Sequence, residues 1–201
     1  MKKIIILSLL ALTSIPVGAQ VVVQAANVQL QPQIGRDAKG YNVCGVRALV
    51  IDEMPTLLEV YDFSINLRSD MFGGLLKAGK STTIKADFIK GKLTSKTVIP
   101  APISFWISRE SDGKALMATK VIPSDTQGFI LTGGELVQTW QTVLAIIQGE
   151  RMQFAVRYKN QGYDTVMSFS GKLKEEELKP LFACLDGILE RLQAEEPGVA
   201  K

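Results

Sequence analysis

Four carboxylates near the start of the folded region could support hydrolysis, because a pair of acids can hydrolyse a bond without histidine. Asp52, Glu53, Glu59 and Asp62 lie on two neighbouring predicted strands. A glycosidase uses two carboxyl groups about 5–10 Å apart, one as the acid and the other as the base or nucleophile. Solvated charges at strand ends explain the same residues equally well. The sequence therefore assigns no catalytic residue.

Histidine is missing from the whole chain. Ser-His-Asp and Cys-His catalysis are therefore excluded, because both need an imidazole base near neutral pH. The zinc sites that contain histidine are excluded too, and two cysteines cannot supply a four-thiolate site. We predict neither a metal nor a cofactor.

Two motif matches suggest chemistry that their context does not favour. Gly74–Ser81 fits the pattern G-x-x-x-x-G-K-[ST], but the residues after it alternate as a strand, whereas a phosphate-binding loop opens a helix. We predict a glycine-rich turn between strands, with no bound nucleotide. Ser111–Lys114 fits S-x-x-K, which requires a helix to place serine and lysine on one face. A hairpin turn is predicted there instead.

The first nineteen residues predict where the protein works. Lys2 and Lys3 precede a short apolar run, and Pro16–Ala19 supplies a bend and small residues, which is the order of a secretory signal peptide. We expect cleavage after Ala19, with Ala26 as the alternative. The apolar run is shorter than the ~20 residues of a membrane span, so no stable span is expected after cleavage. The predicted location is periplasmic or secreted.

The charge of the mature chain argues against a nucleic-acid partner. Loss of Lys2 and Lys3 with the signal lowers the formal net charge from +3 to +1. A near-neutral chain lacks the basic surface that nucleic-acid binding requires.

The two cysteines, Cys44 and Cys184, are expected to form a disulfide, because an exported protein folds in an oxidising space. Two unpaired buried thiols are the alternative. A redox-active pair is not favoured, since the chain has no Cys-x-x-Cys motif.

Hydrophobic periodicity predicts an α+β fold, with a mostly antiparallel β-sheet that forms a sandwich or open barrel of about 8–9 strands. One inserted helix at 136–147 ends at Gly149, and a C-terminal helix spans 174–194. Pro180 could move the start of the second helix to about Lys179. Strands are predicted at 43–51, 57–67, 82–90, 93–99, 103–109, 115–122, 129–131, 151–159 and 163–169.

Four segments follow along the chain. The predicted signal peptide covers 1–19 and a flexible lead-in covers 20–42. A single globular domain spans 43–194, and a disordered tail spans 195–201. The mature chain is long enough for a substantial hydrophobic core.

Phe105 and Trp106 are the best lead to a binding surface. They are adjacent on a predicted strand, so their side chains must point to opposite faces. One of them therefore lies away from the main core or under a helix. Aromatic residues at strand spacing are otherwise core residues.

These observations favour an exported, non-enzymatic binding or accessory protein of the bacterial cell envelope. Its partner would be an envelope or extracellular protein, or another envelope component. Two alternatives remain open. One is a carrier of an apolar ligand between the sheet and the 136–147 helix. The other is a carboxylate-dependent polysaccharide hydrolase.

Overall fold

The computed structural model describes residues 20–24, 27–36, 40, 42–54, 57–70, 73–87, 91–95, 100–111, 115–117 and 120–195. The predicted signal peptide, both predicted cleavage residues and residues 196–201 of the predicted tail lie outside these ranges. Glu195, placed in the tail by the sequence, is the last residue of a helix.

Twelve strands and two helices occur in the described residues. The strands of the first half are β1 (Gln20–Gln24), β2 (Asn27–Arg36), β3 (Asn42–Met54), β4 (Leu57–Arg68), β5 (Gly73–Asp87) and β6 (Lys92–Ser95). They are followed by β7 (Ser104–Arg109), β8 (Ala115–Met117), β9 (Val121–Pro123), β10 (Phe129–Glu135), α1 (Leu136–Gln148), β11 (Met152–Arg157), β12 (Asp164–Phe169) and α2 (Glu175–Glu195). The predicted fold class, α+β with mostly antiparallel strands, is confirmed.

The strands form two sheets. The large sheet has the order β2-β3-β4-β5-β10-β9, with β6 paired to β5, and the small sheet has the order β1-β12-β11-β7-β8. All pairs are antiparallel except β1 with β12. β2 is an edge strand, and Pro32 lies in its middle, opposite Val46.

The two sheets face each other through aromatic side chains. The ring of Phe63 on β4 stacks on Phe154 of β11, with 4.2 Å between centroids, and Phe169 of β12 lies 5.3 Å away. Apolar side chains that alternate along the strands fill the space between the sheets, as burial of one face per strand requires. Both helices pack on the same face of the large sheet and contribute to the same core.

Helix α1 ends as the sequence predicts. Gly149 has a φ of +78°, and its amide donates to the carbonyl of Ile146. Glycine adopts this left-handed conformation without the steric cost that other residues incur.

Helix α2 begins at Glu175, so the alternative start near Lys179 is wrong. The amide of Lys174 donates to the Glu177 carboxylate at 2.9 Å, which stabilises the first turn. Pro180 lies inside the helix. The apolar face that packs into the core, which includes Leu181 and Leu185, holds the helix together across the proline.

The segment predicted as a flexible lead-in contains two strands, β1 and β2. β1 pairs with β12, and β2 pairs with β3. β2 runs alongside β3 over ten residue pairs, and Val28 and Leu30 pack against the core. The polar composition of this segment obscured its period-2 pattern, since an edge strand keeps many side chains exposed.

Residues 115–122 form two short strands rather than one. β8 pairs with β7 in the small sheet, whereas β9 pairs with β10 in the large sheet. The chain therefore crosses from one sheet to the other between them, and a local pattern cannot show such a crossing.

The expected disulfide is present between Cys44 on β3 and Cys184 on α2, with 5.8 Å between the Cα atoms. The cysteines are 140 residues apart in sequence. A closed loop of this length stabilises the fold by about 4–5 kcal/mol in the chain-entropy account. A disulfide is compatible with an oxidising compartment. None of the helices described is long and apolar enough to cross a membrane.

Candidate functional site

The structure brings together two of the four candidate carboxylates. Asp52 on β3 lies directly opposite Glu59 on β4, so both belong to the core-facing side of the large sheet. Glu53 and Asp62 lie at the alternate positions and belong to the outer side. The four acids therefore do not form one site.

Glu59 is the centre of a polar cluster at one end of the core. Its Oε1 accepts from Lys80 Nζ at 2.6 Å, and its Oε2 accepts from the Tyr61 hydroxyl at 2.7 Å. The Lys80 ammonium also lies over the rings of Tyr61 and Tyr158, at 4.7 and 5.4 Å from their centroids. Tyr158 follows β11, so residues of both sheets meet here. Cation–π contacts of this kind strengthen when water is excluded.

Burial raises the pKa of three groups in and beside this cluster. Asp52 is 8% exposed, and burial together with the charge of Glu59 raises the pKa of the Asp52 carboxyl, although Lys80 lowers it. Burial and the nearby Glu59 also raise the pKa of the Tyr61 and Tyr158 hydroxyls. The Tyr158 hydroxyl has no hydrogen-bond partner. Such an unpaired buried group costs free energy.

This arrangement is better suited to holding the sheets together than to hydrolysis. Both oxygens of Glu59 are already engaged, by Lys80 and by Tyr61. A carboxylate that acts on a substrate would have to give up one of these bonds. The hydrolase alternative therefore has a pair of neighbouring carboxylates, Asp52 and Glu59, but Asp52 is buried and both oxygens of Glu59 are already bonded.

The cluster has no signature in the local sequence, because Glu59 and Tyr61 are separated in the chain from Lys80 and Tyr158. Lys80 lies in the segment that matches the phosphate-binding pattern. One feature of the sequence does point to the cluster. Lys80 follows Leu76 and Ala78 at every second position, so its side chain is on the same, apolar face of the strand. A buried lysine usually has a carboxylate partner.

The segment that matches the phosphate-binding pattern lies within β5, so the predicted glycine-rich turn is wrong. Its glycines permit close packing. A methyl group at Gly74 would collide with the side chain of Thr139 on α1. A methyl at Gly79 would collide with the carbonyl of Gly128 and the ring of Phe129. A strand that runs through the motif offers no helix start for phosphates.

The close packing at Gly74 also bears on the carrier alternative. Thr139 of α1 rests directly on the sheet at this point, and Val143 and Ile146 of the same helix are about 1% exposed. A ligand between the sheet and α1 would need space that these side chains occupy.

The S-x-x-K match falls in the β7–β8 connection. Ser108 pairs with Ala115, so the two strands form the predicted hairpin. Asp112, Gly113 and Lys114 lie outside the described residues.

Phe105 and Trp106 point to opposite faces of β7. Phe105 is 4% exposed and lies in the core, with its ring 6.3 Å from that of Phe154. Trp106 is half-buried on the outer face of the small sheet. Of these two residues, only Trp106 can therefore contribute to a binding surface.

Trp106 is held by a network that reaches across the small sheet. Its Nε1 donates to Asp164 Oδ2 at 3.1 Å, and Arg157 Nε donates to Asp164 Oδ1 at 2.6 Å. β11 lies between β7 and β12, so the indole must extend over β11 to reach Asp164. The residues beneath that path, Ala155 and Val166, are 0% and 1% exposed although they belong to the outer face. The indole thus forms a fixed aromatic platform.

Among the described residues, no group of three or more acids or cysteines is placed to hold a metal ion. The chain matches no protein-family model. Nothing similar was found among the curated proteins or among the solved structures.

Proposed function

We propose that this chain is an exported, non-enzymatic binding protein of the bacterial cell envelope. Its contact surface is the outer face of the small sheet, with Trp106 as the anchor, and its partner is an envelope or extracellular protein. The observation that carries the proposal is the fixed indole on the outer face of the sheet. Tryptophan and arginine are the residues most enriched at the energetic centres of protein interfaces.

The network around Trp106 supports this role. Because Asp164 binds both the indole N–H and the Arg157 guanidinium, the ring loses little conformational freedom when a partner binds. The side chains beside Trp106 on its own strand, Ser104 and Ser108, are small. Along β7 itself, a partner can therefore approach the ring without displacing a bulky side chain of that strand.

Export is part of the proposal and rests on the N-terminal sequence together with the disulfide. Cleavage after Ala19 would leave β1, which starts at Gln20, at the edge of the small sheet beside β12. Cleavage after Ala26 would remove it. We expect the N-terminal sequence of the exported protein to begin at Gln20.

The test is crosslinking in the native envelope, with wild-type protein and two variants. Trp106→Ala should weaken capture of the partner by about 30-fold, the effect of losing an energetic centre worth about 2 kcal/mol. Phe182→Ala is the matched control, because Phe182 is an aromatic residue on α2 that is 41% exposed. The proposal is wrong if both variants capture the same proteins as the wild type with equal yield.

A further inference from the structure

The short strand β1 forms one edge of the small sheet. It pairs with β12 along its whole length, from Gln20 opposite Asp164 to Gln24 opposite Ser168. None of the strands in the described part of the chain lies on its other side. Because the N–H and C=O groups of successive strand residues point to alternate sides, part of the β1 backbone faces away from β12 and can pair with another strand.

β1 differs from the other edge strands that the structure describes. β8 and β9 have three residues each, and β6 has four. β2 is longer but contains Pro32, which has no amide to donate. β1 has five residues and includes neither proline nor a charged residue. Very short strands, proline and charge are features that limit pairing at a sheet edge, and of these edge strands only β1 lacks all three.

The sequence of β1 reads the same in both directions, Gln-Val-Val-Val-Gln. Two copies that pair antiparallel around Val22 therefore place valine opposite valine at the three central positions and glutamine opposite glutamine at the two ends. A two-fold interface needs such self-complementarity, because every contact in it occurs twice. Valine favours strand pairing, and no like charges meet across the pair.

We infer that β1 pairs with β1 of a second copy of this chain, in antiparallel orientation and centred on Val22. The two small sheets then join into one sheet of ten strands. The inference rests on the cleavage after Ala19 that the proposed function includes, because cleavage after Ala26 would remove β1. A five-residue pair buries less surface than the ~800 Å² per partner of a standard interface, so we expect a weak dimer with a Kd of about 0.1–1 mM.

The dimer brings two copies of Trp106 onto one surface. The two-fold axis of an antiparallel pair is perpendicular to the sheet, so both outer faces lie on the same side. Trp106 is on β7, and seven strand spacings of ~4.8 Å separate β7 from its copy, about 35 Å along the sheet. Two anchors on one surface strengthen binding to a partner that offers two copies of its site.

Cysteine crosslinking of the mature protein tests the register. Both native cysteines form the disulfide, so an added cysteine has no native thiol to pair with. Val22→Cys should give a disulfide-linked dimer on mild oxidation, because Val22 lies directly opposite its own copy. Gln24→Cys is the matched control, since the two copies of Gln24 are about 14 Å apart in this register and a disulfide spans at most ~7 Å between Cα atoms.

Linked dimer should be at least about tenfold more abundant for Val22→Cys than for Gln24→Cys. Equal yields from the two variants, or no linked dimer from Val22→Cys, would overturn the inference. N-terminal sequencing of the same samples separates this result from the proposed function. A start at Asn27 would refute both the β1 pair and cleavage after Ala19, whereas capture of the partner by Trp106 has its own test.

Sedimentation of the protein without added cysteines gives a second measurement. The wild type should form a dimer whose fraction rises between about 10 μM and 1 mM. Val22→Lys places two like charges opposite each other and should keep the protein monomeric. Gln31→Lys on β2, the edge strand of the other sheet, is the matched control and should dimerise like the wild type. A monomeric wild type at about 1 mM, or an unchanged dimer in Val22→Lys, would contradict the inference.

Discussion

Asp52 and Glu59 face each other across the β3–β4 ladder, but their surroundings differ. Glu59 is bound by Lys80 and Tyr61, whereas Asp52 is buried beside the negative charge that they stabilise. The two carboxyl groups therefore differ in their surroundings: Glu59 has a cation and a hydroxyl donor beside it, whereas burial and the charge of Glu59 raise the pKa of the Asp52 carboxyl. The cluster is neither a simple ion pair nor a symmetric pair of acids.

Asp52→Asn should stabilise the protein at neutral pH. The pKa of Asp52 is raised in the folded state, so folding is favoured below the pKa of the unfolded carboxyl and weakened as pH rises through the folded-state pKa. Asparagine cannot ionise, so the variant does not lose this stability as the pH rises. Urea unfolding of both proteins at pH 3.5 and about pH 7 should show a larger difference at the higher pH.

Glu53→Gln is the matched control for this prediction. Glu53 is the next residue on β3, but it is exposed and belongs to the outer face. The unfolding free energy of the Glu53→Gln variant should therefore differ from that of the wild type by less than about 0.5 kcal/mol. A lower unfolding free energy for Asp52→Asn than for wild type at neutral pH would contradict the argument.

Lys80→Met should destabilise the fold by about 2–4 kcal/mol. The change keeps the apolar stem but leaves Glu59 largely buried without its counter-charge, and an uncompensated buried charge is costly. Adding Glu59→Gln to Lys80→Met should recover much of the loss. A double-mutant cycle by chemical denaturation measures the coupling, and a coupling energy near zero would show that the pair contributes nothing.

The two tyrosines of the cluster should respond differently to loss of the hydroxyl. Tyr61→Phe removes the hydrogen bond to a carboxylate and should cost about 1.5–3 kcal/mol. Tyr158→Phe removes a buried hydroxyl without a partner, so the unfolding free energy should stay the same or rise. Equal losses in the two variants would mean that the Tyr158 hydroxyl is satisfied in solution.

Removal of the disulfide should lower the unfolding free energy by about 4 kcal/mol. We expect no thiol to react in the unfolded, unreduced protein and two to react after reduction. The Cys44→Ala, Cys184→Ala double variant measures the stability without a reductant present. Reaction of both thiols before reduction would show that the bridge does not form in solution.

Local sequence patterns predicted the elements whose contacts are close in the chain. The β11–β12 hairpin and helix α1 were predicted because the alternation of Phe154 and Val156 and the terminal Gly149 act over a few residues. The opposite faces of Phe105 and Trp106 followed from strand geometry alone. The disulfide followed from compartment and from the number of cysteines rather than from distance.

Apart from the disulfide, contacts between distant segments could not be predicted. The meeting of Glu59 with Lys80 depends on the β4–β5 register, which shifts at the bulge between Val60 and Tyr61. Simple alternation, which ignores this shift, assigns the residues of β5 after Lys80 to the wrong faces. The role of Gly74 depends on Thr139, which is 65 residues away in the chain. The parallel β1–β12 pair and the close approach of β4 to Gly45 likewise arise only when separate strands assemble.

The proline in the middle of β2 has a consequence for behaviour at high concentration. A free sheet edge can recruit strands from other molecules and start a fibril. Pro32 interrupts the row of donors on the outermost strand of the large sheet, so an incoming strand cannot continue its ladder past that point. The residue thereby protects the folded protein from edge-to-edge aggregation.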